Sequence, residues 1–439
     1  MQTRLSLSEN YPNYHRLLET DIQNFIELHK HKEITQTLLN LPKEYQELRI
    51  EIGNQIKSLQ KSKSKLSLWY DSDKVIFPPS LSIEQASSEI TANYKADLLN
   101  SDSTINLENQ TLVDLTGGMG VDSFYFSKIV GKVIYIEQNE LLASIAKHNF
   151  EKLGAENIEV ICNNSEVFLE EARNNNTVFD WIYLDPARRD NIQKKVFLLE
   201  DCQPNMVEVW EVFKKVGAKW LLKTAPLLDI QLVLNRLTNI EKVVVVALQN
   251  ECKEVLYQLD SSQKSFDNEK IKISAINLHS KNLKIQNYQE IQIESFEFSL
   301  LQEKEVLIDY NKKNEIQGYL YEPSAALMKA GAFKSITKKY ELNKLSINTH
   351  LYVSQERKEN FVGKIFKIAE VVSFSKKEVK RKFGKAGFNV VVRNFPMSVK
   401  ELRKQFSISE GDNQFLFFTT FTSKSKDEKI VILCEKIKS

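Results

Sequence analysis

Val113-Asp114-Leu115-Thr116-Gly117-Gly118-Met119-Gly120 runs an apolar strand into a glycine-rich turn, and a helical pattern follows from Asp122 to Ile129. Glycines are needed where backbone must approach a ligand with no Cβ in the way, and the helix N-terminus behind the turn offers free amides and a positive dipole. The next strand pattern, Lys132 to Ile136, ends at Glu137, 17 positions after Gly120. A carboxylate at the end of a second strand is placed to accept hydrogen bonds from both hydroxyls of a ribose. Either feature alone is ordinary punctuation between strand and helix; the pair is much more specific.

Outward from this turn, strands are expected at Leu112 to Leu115, Lys132 to Ile136, Ile158 to Ile161, Trp181 to Leu184, Lys219 to Leu222 and Lys242 to Leu248, with helices between them. That alternation predicts a parallel sheet. Gln249-Asn250-Glu251 leads directly into another strand candidate, Cys252 to Tyr257. So short a connection can only close an antiparallel hairpin. Up to about Asn100 the apolar spacing is helical, as in Leu17-Leu18, Ile22 and Phe25-Ile26. The basic run Lys57 to Lys65 is either a solvated helix end or a nucleic-acid contact. Pro78-Pro79 forces an extended stretch, and Ser82-Ile83-Glu84-Gln85 reads as a capping box restarting a helix. Past the polar segment Asp260 to Lys270, the patterns of Ile271 to Leu278 and Tyr288 to Phe298 are strand-like, and Ser324 to Phe333 is helical. The tail from Phe361 mixes strands (Asn389 to Arg393, Gln414 to Phe421) with amphipathic helices (Lys376 to Phe383, Ser398 to Phe406).

A chain of 439 residues, 42% hydrophobic and 27% charged, predicts several folded domains rather than disorder. No run approaches the roughly 18 apolar residues of a membrane helix, and the N-terminus lacks the apolar core of a signal peptide, so a cytoplasmic protein without membrane partners is expected. Cys162, Cys202, Cys252 and Cys434 form no Cys-x-x-Cys pair, and the six histidines, His148 among them, fall at no metal-ligand spacing. Neither a metal nor a disulfide framework is implied. From Phe361 to Ser439 there are 17 Lys and Arg against 8 Asp and Glu, and elsewhere 43 against 50. Clustered cations of this kind suit a polyanion or a solubilising surface.

Two cofactor classes fit the turn and Glu137. A nicotinamide dinucleotide needs the phosphate fingerprint G-x-G-x-x-G, which would place glycine at Ser123. S-adenosylmethionine has no phosphate and needs only the tight turn and an anchor for its amino acid moiety, for which Asp114 is a candidate. The hairpin after the sixth strand also favours a methyltransferase over a hydride-transferring oxidoreductase.

From Asp114 through Glu137 to Asp185-Pro186-Ala187-Arg188, the chain resembles class I S-adenosylmethionine-dependent methyltransferases, particularly those that modify nucleic acids. Nearly end to end it resembles a bacterial family with a helical N-terminal region, a methyltransferase domain, a ferredoxin-like domain and a C-terminal THUMP-like domain. The stretches carrying this include Pro78 to Gln85, Asp185 to Arg189, Glu322 to Gly331 and Arg393-Asn394-Phe395-Pro396. The resemblance implies an α/β class, a Rossmann-like seven-stranded sheet with an antiparallel last strand, an N-terminal all-α domain and small C-terminal α+β domains. Its boundaries are 1–100 helical, 101–262 methyltransferase, 271–345 ferredoxin-like and 360–439 THUMP-like and basic.

The resemblance further implies S-adenosylmethionine held by Asp114, Thr116, Gly117, Gly118 and Gly120 around the methionine part, Glu137 on the ribose, Gln138 beside it, Asn164 at the adenine, and Asp185. Asn164 stands where such folds usually carry Asp. Asp185, Pro186 and Arg188 are the implied catalytic loop; Ala187 and Arg188 replace the second proline and the aromatic of amine-methylating enzymes. If a general base is used, Asp185 is the choice, and Lys223-Thr224-Ala225-Pro226 is a further pocket candidate. The expected function is methyl transfer to nucleic acid, RNA more than DNA. The alternatives are a methyltransferase of a protein or small molecule, and a non-catalytic RNA-binding protein retaining the cofactor site. The oligomeric state is not legible.

Overall fold

The apolar runs flanking the glycine turn become parallel strands: Thr111–Asp114 (β1), Lys132–Glu137 (β2), Ile158–Cys162 (β3), Phe179–Leu184 (β4) and Gly217–Thr224 (β5). Their centres (Val113, Tyr135, Ile182, Leu221) are nearly or fully buried, as expected of a sheet covered on both faces. The computed structural model describes residues 5–100, 106–188, 198–262, 267–280, 288–308, 315–423 and 426–437. It divides into two units, Met1–Lys242 with Glu254–Phe266 and Ser280–Gln292, and Val243–Lys253 with Asp267–His279 and Ile293–Ser439.

Ile240–Leu248 (β6) and Glu251–Asp260 (β7) flank a two-residue turn in which Gln249 and Asn250 both have positive φ, 52° and 64°. This is the turn geometry that matches strand twist in a tight hairpin. β7 then runs antiparallel to β5, pairing Trp220 with Leu259 and Leu222 with Tyr257. Strand order in the first unit is β3-β2-β1-β4-β5-β7. Helices alternate with the strands, among them Glu89–Leu99 (α1), Val121–Ser127 (α2), Glu140–Lys152 (α3) and Ser165–Asn174 (α4). The N-terminal region is helical as expected, and it shares the first unit with the sheet.

Two local expectations change. The helix after Pro78-Pro79 spans Ser80–Gln85 with Pro79 as its N-cap, so Ser82 lies inside it and caps nothing. Proline is favourable at a helix start, and here it sets the N-cap three residues earlier. In the basic run, Lys65 Nζ donates to the carbonyls of Ile83 (2.7 Å) and Glu84 (2.9 Å), and Lys61 pairs with Glu84. Those two cations finish that short helix.

In the second unit, Lys272–His279 (β8) and Gln292–Ser299 (β9) follow in the order β9-β8-β6. Among the described residues this sheet therefore has nine strands where seven are expected, because β8 and β9, expected in the next domain, extend it. A separate seven-stranded sheet contains Tyr319–Pro323 (β10), Asn343–Ser346 (β11), Thr349–Ser354 (β12), Gly363–Ser373 (β13), Asn389–Arg393 (β14), Gln414–Ser423 (β15) and Lys426–Lys436 (β16), in the order β11-β12-β10-β13-β16-β15-β14. Only the β14–β15 pair is parallel among its described ladders. Strand alternation splits its residues between two cores. Leu416, Phe418 and Val431 pack with Val379, Phe383, Leu402 and Phe406 of helices Lys376–Phe383 and Val399–Phe406, while Phe417, Ile430 and Ile432 pack with Leu320, Leu351 and Phe366.

Candidate functional site

Gly118 and Gly120 adopt φ of +55° and +83°, a region open to glycine at little cost. A Cβ on Gly117 would lie 2.1 Å from the Tyr135 ring, and one on Gly120 would lie 2.5 Å from Phe150. Tyr135 also donates its hydroxyl to the Gly118 carbonyl at 2.6 Å. Inside the turn, Asp114 is buried; its Oδ1 accepts the Thr116 N–H (3.0 Å) and its Oδ2 accepts the Ser123 hydroxyl (2.5 Å). Burial pushes the Asp114 carboxyl up to about 7, the Ser123 and Thr116 hydrogen bonds pull it back, and the charges of Asp122 and Asp185 add to the rise. Its oxygens thus fasten the turn from within, where the sequence reading had them facing the cofactor's amino acid moiety.

At the end of β2, Glu137 Oε2 accepts the Gly118 N–H at 2.9 Å and Oε1 accepts the Asn139 N–H at 2.7 Å. The two amides fix the carboxylate plane while the side chain stays partly exposed. Thr116 Oγ1 accepts the Asp185 N–H at 2.8 Å, tying the end of β4 to the turn after β1. Thr116, Gly117, Gly118, Glu137 and Asp185 are therefore joined in one rim at the carboxyl ends of β1, β2 and β4, the usual ligand face of an open α/β sheet.

Asn164 is placed differently from expectation. Its Oδ1 accepts the N–H groups of Glu166 (2.9 Å) and Val167 (3.2 Å) as the N-cap of α4, and its Nδ2 lies 3.5 Å from Gln138 Oε1. The oxygen expected to read the adenine amine is engaged with the helix. Gln138 is exposed.

Beneath the rim lies a buried charge network that the sequence reading missed, apart from Lys223. Lys95 of α1, fully buried, holds both oxygens of Glu254 at 2.9 Å, the Ser87 hydroxyl at 3.0 Å and Asp122 Oδ1 at 3.2 Å. Asp122 Oδ2 accepts the hydroxyls of Tyr183 (2.7 Å) and Ser87 (2.8 Å). Lys223, at the end of β5, forms an ion pair with Asp185. Burial disfavours the Lys223 charge, but Asp185, Glu254 and Asp122 outweigh it and hold the ammonium above its usual range. Burial likewise works against an ionised Asp122, yet Lys95 and Lys223 carry its carboxyl below the usual range. The sequence carries little signal for it: Lys95 shares Ala92 to Leu99 with Asp97, and Glu254 follows Glu251 and Lys253 directly before Val255-Leu256-Tyr257. Pro186 follows Asp185, and the Ala187–Arg188 backbone pairs antiparallel with Cys202–Gln203. Arg189 lies outside the described residues.

Residues 91–214 match the model described as Conserved hypothetical protein 95, 319–361 a ferredoxin-like domain and 363–436 a THUMP-like domain. A crystal structure from Porphyromonas gingivalis W83, provisionally described as a methyltransferase, is 29% identical, covers 95% of this chain and 98% of its own, and superposes with a TM-score of 0.81. The chain has the class I methyltransferase fold. Behind that fold it carries a ferredoxin-like and a THUMP-like domain, which contribute to one sheet through the β10–β13 pairing. Also matched are an rRNA methylase from Streptococcus thermophilus (15% identity, 38% of this chain and 93% of that one, TM-score 0.28) and TrmK of M. capricolum with S-adenosyl-homocysteine (13%, 41% and 71%, 0.31). No curated protein matches. Among the described residues, no helix is long and apolar enough to cross a membrane.

Proposed function

We propose that the cleft formed by Gly118, Glu137 and Asp185 binds S-adenosylmethionine and that the chain methylates nucleic acid, RNA rather than DNA. The observation supporting this most strongly is Glu137, a partly exposed carboxylate pinned by the Gly118 amide at the end of the second strand. The residues present suit this cofactor. Each Glu137 oxygen keeps a lone pair for a ribose hydroxyl, and a Cβ on Gly118 would meet nothing nearer than the Thr116 carbonyl at 3.8 Å, leaving open space above the turn.

When bound, S-adenosylmethionine supplies a methyl group activated by a sulfonium. The protein's work is then positioning, because in-line displacement depends on alignment. Thr116 fixes the height of Asp185, and Lys223 fixes the direction of its carboxylate. Asp185 can orient the acceptor by taking a hydrogen bond from it, and it is the group placed to receive a proton if the acceptor must lose one. Pro186 restricts the backbone after it. An arginine at position 188, as a residue type, carries a guanidinium able to stack on a base or pair with a phosphate. Gln138 and the Asn164 amide nitrogen remain for the adenine end. The THUMP-like match and the Lys/Arg excess beyond Phe361 support RNA as the acceptor.

The test is transfer of a radiolabelled methyl group to RNA, DNA and protein fractions from cells lacking the gene. Label in RNA that is lost in Asp185→Ala is the expected result. Label only in protein or small molecules would overturn the acceptor, and cofactor binding with no transfer to any fraction would favour a binding protein.

A further inference from the structure

The second unit carries an open cavity of about 590 Å³, apart from the residues assigned above to methyl transfer. Lys329, Lys364 and Arg393 line it against a single carboxylate, Glu322. Glu322 is 8% exposed; its Oε1 takes a bond from Arg393 Nη2 at 2.5 Å, and Lys364 Nζ stands 3.8 Å from Oε2. Two cations thus share one buried anion, and the wall keeps an excess of positive charge.

Another wall is His350. Burial, reinforced by the Lys344 charge, holds its imidazole down at about 4, so the ring is neutral at physiological pH. It lies over Phe333 with ring centroids 3.9 Å apart, and its buried Nδ1 has no hydrogen-bond partner among the described residues. Met328 adds apolar surface beside it. The cavity falls in the range of small-molecule sites, roughly 300–1,000 Å³, and is far larger than an inorganic anion requires.

We propose that this cavity binds a nucleoside monophosphate, its phosphate met by Lys329, Lys364 and Arg393 and its base by His350 and Met328. The nucleotide is either free or one unit of an RNA chain; only the RNA source rests on the function proposed above.

Calorimetry on the full chain with adenosine monophosphate, adenosine, inorganic phosphate and a single-stranded RNA decamer tests this. Lys329→Ala and Lys364→Ala keep the Glu322–Arg393 pair, and thermal unfolding of each is recorded beside its binding so that a folding defect is read separately from lost affinity. Lys376→Ala and Lys380→Ala, on an exposed helix of the same unit, are controls for general charge. The proposal expects adenosine monophosphate to bind at least about tenfold (about 1.4 kcal/mol) tighter than adenosine or phosphate, with a similar loss in the cavity variants and none in the controls. If only the decamer binds, and it weakens in the cavity variants, the nucleotide belongs to RNA; Lys376→Ala and Lys380→Ala serve as controls for adenosine monophosphate alone. Equal binding of phosphate and adenosine monophosphate would reduce the site to an anion patch and overturn the proposal, as would cavity variants that bind both probes like wild type. RNA methylation unaffected by the cavity variants would count against the RNA source alone and leave the free nucleotide as the ligand. Nucleotide binding without any methyl transfer would count against the methyltransferase reading alone.

Discussion

Asp114, expected to face a cofactor's amino acid moiety, instead turns both carboxylate oxygens to Thr116 and Ser123. Its place before the glycines was legible, but burial and the Ser123 hydroxyl were not, because Ser123 arrives from the next helix turn. Its raised pKa makes a stability prediction. The folded chain holds this proton more tightly than the unfolded one, whose Asp titrates near 3.9. The stabilisation is therefore complete below about pH 4 and is lost as pH rises through about 7. Asp114→Asn removes that loss, so the difference in Tm should shift in the variant's favour between about pH 5 and pH 8. A difference independent of pH would mean that Asp114 is ionised throughout. Asn164 shows the converse: an Asn before a helix serves equally as an N-cap, and sequence alone could not tell whether its oxygen would face the helix or a base.

At the scale of elements, strand positions were largely legible because buried parallel strands need continuous apolar runs. The expected Asn389 to Arg393 strand and Lys376 to Phe383 helix recur with the same ends. The helix start at Pro79 was missed because two start signals, a proline and a serine box, lay three residues apart and local chemistry favoured the first. The charge network was invisible for another reason: Lys95, Asp122, Lys223 and Glu254 come from four elements distant in sequence. Two predictions belong here. Gly117→Ala drives a methyl into the buried Tyr135 ring and should cost about 1–3 kcal/mol in urea unfolding; a neutral result would mean that the turn can move aside. Lys95→Met strands Glu254 and Asp122 without their shared cation and should cost about 3–5 kcal/mol, where a loss below about 1 kcal/mol would show the network is not held as described.

Across the whole molecule, the α/β class and the presence of further C-terminal α+β structure were legible from alternation and charge. The two added strands β8 and β9 were not, since strand-like alternation does not say which sheet a strand joins. The basic excess beyond Phe361 lies partly on the helix Lys376–Phe383, where Val379 and Phe383 face the core and Lys376, Lys377 and Lys380 are exposed. If this face grips phosphates, RNA affinity should fall roughly tenfold or more between about 50 and 200 mM salt, and a flat response would assign those lysines to solubility.

The most direct test is the cofactor itself: calorimetric titration of the full chain with S-adenosylmethionine, beside Glu137→Ala. One molecule should bind per chain, and Glu137→Ala should weaken it by about 10- to 100-fold, as expected for losing hydrogen bonds to a charged group at about 1.5–3 kcal/mol. No binding to wild type, or equal binding to Glu137→Ala, would contradict the site.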